Sequence, residues 1–424
     1  MYRHLRFLFI SFLFSSFACA DASSLGPAGV AGGLDSGQTS MDGASDLDDA
    51  GLADAQADGS DAGQLGCVLG DLIRLSSTDH AFALHALSAS AGRAAVAYSL
   101  DGGQAPRLQI TELETKSVQL DQEIPCLDSS SPPMGMDYAD GLIALAGRTA
   151  DPSAPSSRLC LLDEDGTQTG SVLESNRAAV AIARESSGAR LLSFEEADAG
   201  SSGDAGSSMV ITRYTADAGQ LEMSIQLGAA LRSESDWDMR WRASSDNGVA
   251  CGLTRDNEGA WLTLFEQDGS GSTALAAAER LTSAADFGCR VAPGPDFTAV
   301  AFAESEGAKV QLVWLGSGGS KLAGPIPILA SYHPRETYDV AVQGSLTALA
   351  FFDASAGPPH VVVRVYPGPG EAPVQLNAED GLGLGNFGLS GSVRLVHAGE
   401  GFLVGFASTS PLSNDVIVQT LLCR

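Results

Sequence analysis

The chain is 424 residues long and strongly acidic: 52 Asp and Glu stand against 24 Lys and Arg, a formal net charge of −28. That balance argues against binding to nucleic acid or to an anionic membrane surface, both of which need clustered Lys and Arg. Aromatic residues are sparse at 6%, and Ala, Gly, Ser and Val dominate.

Residues 1–19 read as an export signal. Arg3 and Arg6 precede an apolar and hydroxyl run from Phe7 to Phe17, followed by small residues. The run is too short to span a bilayer, which takes about 20 apolar residues. Two processing outcomes fit. Ala18-Cys19-Ala20 suits ordinary cleavage before Asp21, whereas Ser16-Phe17-Ala18-Cys19 resembles a bacterial lipoprotein signal in which Cys19 is lipidated. The first leads to a periplasmic or secreted protein, the second to a lipoprotein of the outer membrane or cell surface. Residues 20–66 contain nine Asp, no Lys or Arg and no aromatic residue. Such a segment buries too little apolar surface to offset its ordering entropy, so a disordered acidic linker is expected, which favours a tether.

From Cys67 to Arg424 short apolar runs recur, each introduced by turn residues: "RAAVAYS" at Arg93, "LIALAGR" at Leu142, "RLLSFEE" at Arg190, "GVACGLT" at Gly248, "FTAVAFA" at Phe297, "SLTALAF" at Ser345 and "FLVGFAS" at Phe402. They begin 48 to 58 residues apart. A weaker strand precedes each run ("FALHALS", "WDMRWRA", "FGCRVA", "YDVAVQ"). A β-branched strand follows ("RLQITEL", "RLCLLD", "KVQLVWL", "HVVVRVY"), and often a fourth ("SVQLDQEI", "APVQL"). Four short strands about every 50 residues describe an all-β fold, a β-propeller spanning residues 67–424 with seven blades, six or eight being the alternatives.

The seventh unit ends on its third strand, "DVIVQTLLCR", while "CVLGDLIRLSS" from Cys67 stands unassigned before the first. The pattern resembles secreted or lipid-anchored bacterial seven-bladed propeller proteins as a class, in which an N-terminal strand completes the last blade. The marks of WD40, sialidase and Kelch repeats are absent, so the resemblance implies a fold and no activity. Six cysteines remain outside the signal, an even number in an exported chain. The blade register sets Cys67 beside Cys423. Cys126 with Cys160 and Cys251 with Cys289 follow by proximity and elimination.

Motifs that carry chemistry are few. "GLGNFG" (383–388) matches a dinucleotide fingerprint but lacks the flanking strand and helix, so a loop is the better reading. His80, His85, His333, His360 and His397 are not at metal-ligand spacing. No catalytic residue, metal or cofactor is expected. The long connections cluster on the face where inner strands begin, and two entries there carry hot-spot residue types: Trp237, Arg240 and Trp241, and Tyr332, His333 and Arg335. The alternative for the tryptophans is that they fill wedges between blades. An enzyme should converge titratable side chains from several inner strands on the axis. The fragments "ALHALS", "AAVAIA", "GCRVA" and "DVAVQ" bring few, so a monomeric binding or scaffold module for an extracytoplasmic protein, peptide or glycan is favoured over a hydrolase or lyase. Three or more acidic, His or Arg side chains at one channel mouth would reverse that preference.

Overall fold

The computed structural model describes residues 66–423 apart from 75–80, 101–103, 130–131, 150–156, 176, 186–187, 196–206, 216–219, 231–236, 242–246, 257–258, 267–275, 284, 305–308, 330–336, 354–359, 375–391 and 411–412. Cys19 and the acidic linker lie outside these residues. The described elements are strands, with one 3-10 turn at Ser317–Gly319, and no helix among them is long and apolar enough to cross a membrane.

Seven blades follow one another along the chain. Blade 1 comprises β2 (Ala81–Ser90), β3 (Arg93–Leu100), β4 (Arg107–Glu112) and β5 (Val118–Glu123), and blade 2 comprises β6 (Pro133–Ala139), β7 (Leu142–Arg148), β8 (Ser157–Asp163) and β9 (Leu173–Ser175). Blade 3 is β10 (Ala178–Glu185), β11 (Gly188–Glu195), β12 (Ser207–Thr215) and β13 (Gln220–Ala230). Blade 4 is β14 (Asp238–Trp241), β15 (Gly248–Asp256), β16 (Gly259–Glu266) and β17 (Ala276–Thr282). These two sheets touch through a single pairing, Ala230 with Thr254. Blade 5 is β18 (Ala285–Pro293), β19 (Phe297–Glu304), β20 (Lys309–Gly316) and β21 (Lys321–Leu329). Blade 6 has three strands, β22 (Tyr338–Gln343), β23 (Leu346–Asp353) and β24 (His360–Tyr366); where "APVQL" predicts a fourth, an isolated bridge joins Val365 to Val374.

Blade 7 runs β25 (Val393–Ala398), β26 (Gly401–Ser410) and β27 (Ser413–Cys423), and its outer strand is β1 (Cys67–Arg74). β1 pairs antiparallel with β27, Cys67 opposite Cys423, and a disulfide joins the two. The ring is therefore closed by the N-terminal strand, as its sequence predicts. Disulfides also join Cys126 to Cys160, and Cys251 of blade 4 to Cys289 of blade 5.

The second strand of a blade is mostly apolar and buried along its run because both its faces pack against neighbouring blades. β19 buries Phe297 through Ala303, and β23 buries Thr347 through Phe352. Exposed β5 shows instead the alternation of a half-solvated edge. The small residues follow from geometry. Blades converge toward the axis, and Ala95, Ala97, Ala144, Ala146, Ala299 and Ala301 let their inner halves approach closely. The core is divided accordingly into seven clusters, one per blade interface, such as Leu84, Val96 and Tyr98 of blade 1 against Leu403, Val416 and Val418 of blade 7. Tight hairpins join the first two strands of blades 1, 2, 5, 6 and 7. At Asp140-Gly141 both φ angles are positive, 51° and 75°, the turn whose twist matches the flanking strands.

Candidate functional site

Seven inner strands (β2, β6, β10, β14, β18, β22 and β25) contact one another in order around the axis. They carry more charge there than the sequence fragments suggest. Asp137 stands on β6, Arg184 on β10, Asp238 and Arg240 on β14, Arg290 on β18, Asp339 on β22, and Arg394 and His397 on β25. The expectation of few titratable groups on the inner strands is thereby corrected. The apolar residues of each strand face the interblade cores, and one or two per strand point elsewhere. "AAVAIA" stops one residue short of Arg184, "GCRVA" holds Arg290 in its middle, and "DVAVQ" opens on Asp339.

The carboxylates share a role. The backbone N–H of Arg184 on blade 3 donates to Asp137 Oδ2 on blade 2 at 2.7 Å. Val291 N–H on blade 5 donates to Asp238 Oδ2 on blade 4 at 3.0 Å, and Leu395 N–H on blade 7 donates to Asp339 Oδ2 on blade 6 at 2.9 Å. In each case an Asp of an even-numbered blade binds the inner strand of the next. Ser88 acts similarly in blade 1, accepting from Tyr138 N–H at 2.9 Å and donating to Asp137 Oδ1 at 3.3 Å. Between blades 7 and 1, Arg394 Nε donates to the His85 carbonyl at 2.9 Å, and Ser392 Oγ donates to that of Leu84.

Arg240 lies at the waist of the axial space. Its side chain is 30% exposed, with Nε 3.8 Å from Asp238 and Nη2 3.6 Å from Asp339. Arg290 is buried and shares both partners, at 3.8 and 4.0 Å. Burial works against the Arg240 guanidinium, but Asp238, Asp339 and Asp137 outweigh it, and its pKa stands above the ordinary arginine value. Burial raises the Asp137 carboxyl, opposed by the Arg184 N–H and by Arg240.

Two cavities flank Arg240. A smaller one of about 270 Å³ lies where the inner strands begin and is lined by His85, Asp238, Arg240, Arg290 and Arg394 among apolar residues. A larger one of about 960 Å³ opens among the hairpins at the other end, lined in part by Arg93, Asp137, Asp140, Arg240, Trp241 and His397. His85 is held neutral: burial, then the charge of Arg394, lowers its pKa to about 4, and its Nε2 bonds Ser99 Oγ at 2.7 Å. Among the described residues no group of three or more His, Cys, Asp or Glu is placed to hold a metal ion.

Of the residues singled out from sequence, Arg240 reaches both cavities. Trp237 is fully buried between blades 3 and 4, its ring stacked 5.8 Å from that of Phe265. Trp241 packs in the same cluster, with the Arg190 guanidinium 3.8 Å from its ring centroid, and its edge lines the larger cavity. Tyr332, His333 and Arg335 lie outside the described residues. Sequence reasoning missed Asp137, Asp238, Asp339, Arg290 and Arg394. A signal was present: Asp137, Asp238 and Asp339 recur at intervals of 101 residues, two blades apart, and each is followed by a bulky apolar residue.

No protein-family model matches the chain, and no curated protein matches it by sequence. Solved structures do. The polysaccharide lyase Uly1 is similar at 10% identity over 84% of this chain and 99% of its own, with a TM-score of 0.50. The β-propeller domain of the Trilobed protease from Pyrococcus furiosus is similar at 10% identity over 81% of this chain and 94% of its own, with a TM-score of 0.47. An acylaminoacyl peptidase from Pyrococcus horikoshii is matched at 10% identity over 80% of this chain, with a TM-score of 0.49, and the chain spans about half of it, 51%. At such identities the likeness is one of fold alone.

Proposed function

We propose that the protein is a non-catalytic binding module of the cell envelope, which engages a protein, peptide or glycan at the axial cavity where its inner strands begin. The observation that carries this reading is the engagement of the axial carboxylates. Asp137, Asp238 and Asp339 each accept a backbone N–H of the following blade. Among the described residues, what faces the smaller cavity is mainly guanidinium, with neutral His85, rather than a base within reach of a nucleophile. His85 does bond Ser99, but Ser99 lines neither cavity.

A propeller hydrolase or lyase is the second reading. His85, Asp238, Arg240, Arg290 and Arg394 at one mouth meet the criterion drawn from the sequence for this reading; what weighs against it is the engagement of the axial carboxylates by backbone N–H groups. One experiment separates the two. The full chain is incubated with a cell-envelope extract and recovered. A component retained by the wild type, lost from Arg240→Ala and returned chemically intact supports binding, whereas a cleaved or unsaturated product supports the enzyme.

Export is part of the same proposal. Three disulfides suit an oxidising compartment, and a lipid on Cys19 with a linker over residues 20–66 would tether the ring to a membrane. Labelling with a palmitate analogue that disappears in Cys19→Ala, with release to the soluble fraction, supports the tether. A free N-terminus at Asp21 in the wild type eliminates it.

A further inference from the structure

The two axial cavities lie end to end, and the division between them falls at one level. On β2 the lining passes from the smaller to the larger between Leu87 and Ser88, on β6 between Met136 and Asp137, and on β25 between Arg394 and Leu395. Consecutive residues on three strands thus belong to different cavities, which makes the cavities two halves of one axial space. Among the described residues Arg240 alone lines both. Its side chain, 30% exposed, is the partition.

The hold on that side chain is electrostatic and long. Nη2 stands 3.6 Å from Asp339 and Nε 3.8 Å from Asp238, both beyond hydrogen-bonding distance, so neither carboxylate grips the guanidinium as a fork. Nor do the carboxylates depend on Arg240. Asp339 accepts the Leu395 N–H at 2.9 Å and Asp238 the Val291 N–H at 3.0 Å, while Arg290 stands 4.0 and 3.8 Å from the same two. Moving Arg240 away leaves both aspartates bonded and facing a cation, which avoids the cost of an isolated buried charge. The larger half, about 960 Å³, has room for a guanidinium, and Asp137, whose charge already acts on Arg240, lines it. We propose that Arg240 is a movable bolt: seated between Asp238 and Asp339 it divides the axial space into two pockets, and swung toward Asp137 it opens one channel through the ring. The device goes beyond the binding reading above and is independent of which ligand the smaller cavity takes.

The test is cross-linking through the waist. In the full chain carrying Cys19→Ser, Met134→Cys places a thiol in the smaller half and Ser90→Cys places one in the larger. The other six cysteines are paired. A flexible bis-maleimide of about 20 Å, the length of roughly six strand residues, joins the two positions along the axis, and mass spectrometry follows the bridged product. The expected result is a slow bridge in this protein and one roughly fivefold or more faster after Arg240→Ala, the effect of losing ion contacts worth an exposed salt bridge. Asp339→Asn, which keeps an acceptor for the Leu395 N–H but removes one of the charges that seat Arg240, should speed it in the same direction. Labelling of each single-cysteine protein by a monofunctional maleimide should not change with either substitution, which ties the gain to passage rather than to the mouths. If Arg240→Ala does not fold, Asp339→Asn carries the comparison. A bridge formed equally fast with and without Arg240 overturns the proposal, as does the absence of a bridge in every variant when both thiols label singly.

Discussion

Asp339 of blade 6 accepts a hydrogen bond from the backbone N–H of Leu395 of blade 7 at 2.9 Å, and it does so while its other oxygen stands 3.6 Å from Arg240 of blade 4. One buried carboxylate thereby holds its neighbour's inner strand and neutralises an arginine two blades away. Removing it should leave the Leu395 N–H without its acceptor and leave Arg240 and Arg290 to share the remaining carboxylate of Asp238. Asp339→Ala is expected to cost about 3–5 kcal/mol, the range for breaking a buried charge pair by removing one member. Urea denaturation measures it, and a change below about 1 kcal/mol would show that the bond contributes little.

The clasp of blade 7 gives a second expectation. The Cys67–Cys423 disulfide spans 356 residues of sequence. Changing both cysteines to Ser should lower stability by roughly 2–5 kcal/mol, because the unfolded chain regains the freedom that the bond removes. Non-reducing peptide mapping of the wild type should recover a Cys67–Cys423 peptide. Recovery of Cys67 bonded elsewhere contradicts the closure.

Two glycines make room for the tryptophans of blade 4. A Cβ added at Gly252 would lie 2.1 Å from the Trp237 ring, and one at Gly248 would lie 1.8 Å from that of Trp241. Gly252→Ala should therefore destabilise by about 1–3 kcal/mol, the usual cost of overpacking. Trp237→Leu should itself destabilise, by about 2–5 kcal/mol, through the cavity it opens. In the double variant the two losses should be less than additive, since the added methyl enters the vacated space. Strict additivity in chemical denaturation would remove the clash as the cause.

His85 sets a pH dependence. Its folded pKa of about 4 lies below the ordinary value of 6.5, so the unfolded chain binds the proton more readily. Its neutral form favours the folded state above pH 6.5, and stability should fall as pH drops from there toward 4, by at most about 1.4 kcal/mol per unit. Melting temperatures of the wild type and His85→Gln, compared across that window, should converge toward the acid end. Parallel curves would assign the loss to other groups.

The ring was legible because each blade writes the same hydrophobic pattern, and the doubly buried second strands, such as "FTAVAFA", announce themselves as continuous apolar runs. Closure was legible from an unpaired strand at each end. The axial site was not, for a physical reason. A channel-facing residue is one position in a short inner strand, and its partners sit on other blades 47 to 56 residues away. A blade-by-blade reading sees a lone Asp or Arg in apolar company and cannot tell a charged channel from an isolated exception. Comparing every second blade would have shown the aspartates in phase.

That two-blade phase meets an odd number of blades. Asp137, Asp238 and Asp339 couple blade 2 to 3, 4 to 5 and 6 to 7, so the ring consists of three couples and a singleton. The singleton is blade 1, whose Ser88 substitutes for an aspartate and which abuts the sheet sealed by Cys67 and Cys423. Growth or loss by a whole couple would preserve the alternation of acid and base around the axis, whereas a change of one blade would break it. The seam of the circle thus falls where its parity fails, beside the odd blade, and there a covalent bond closes it.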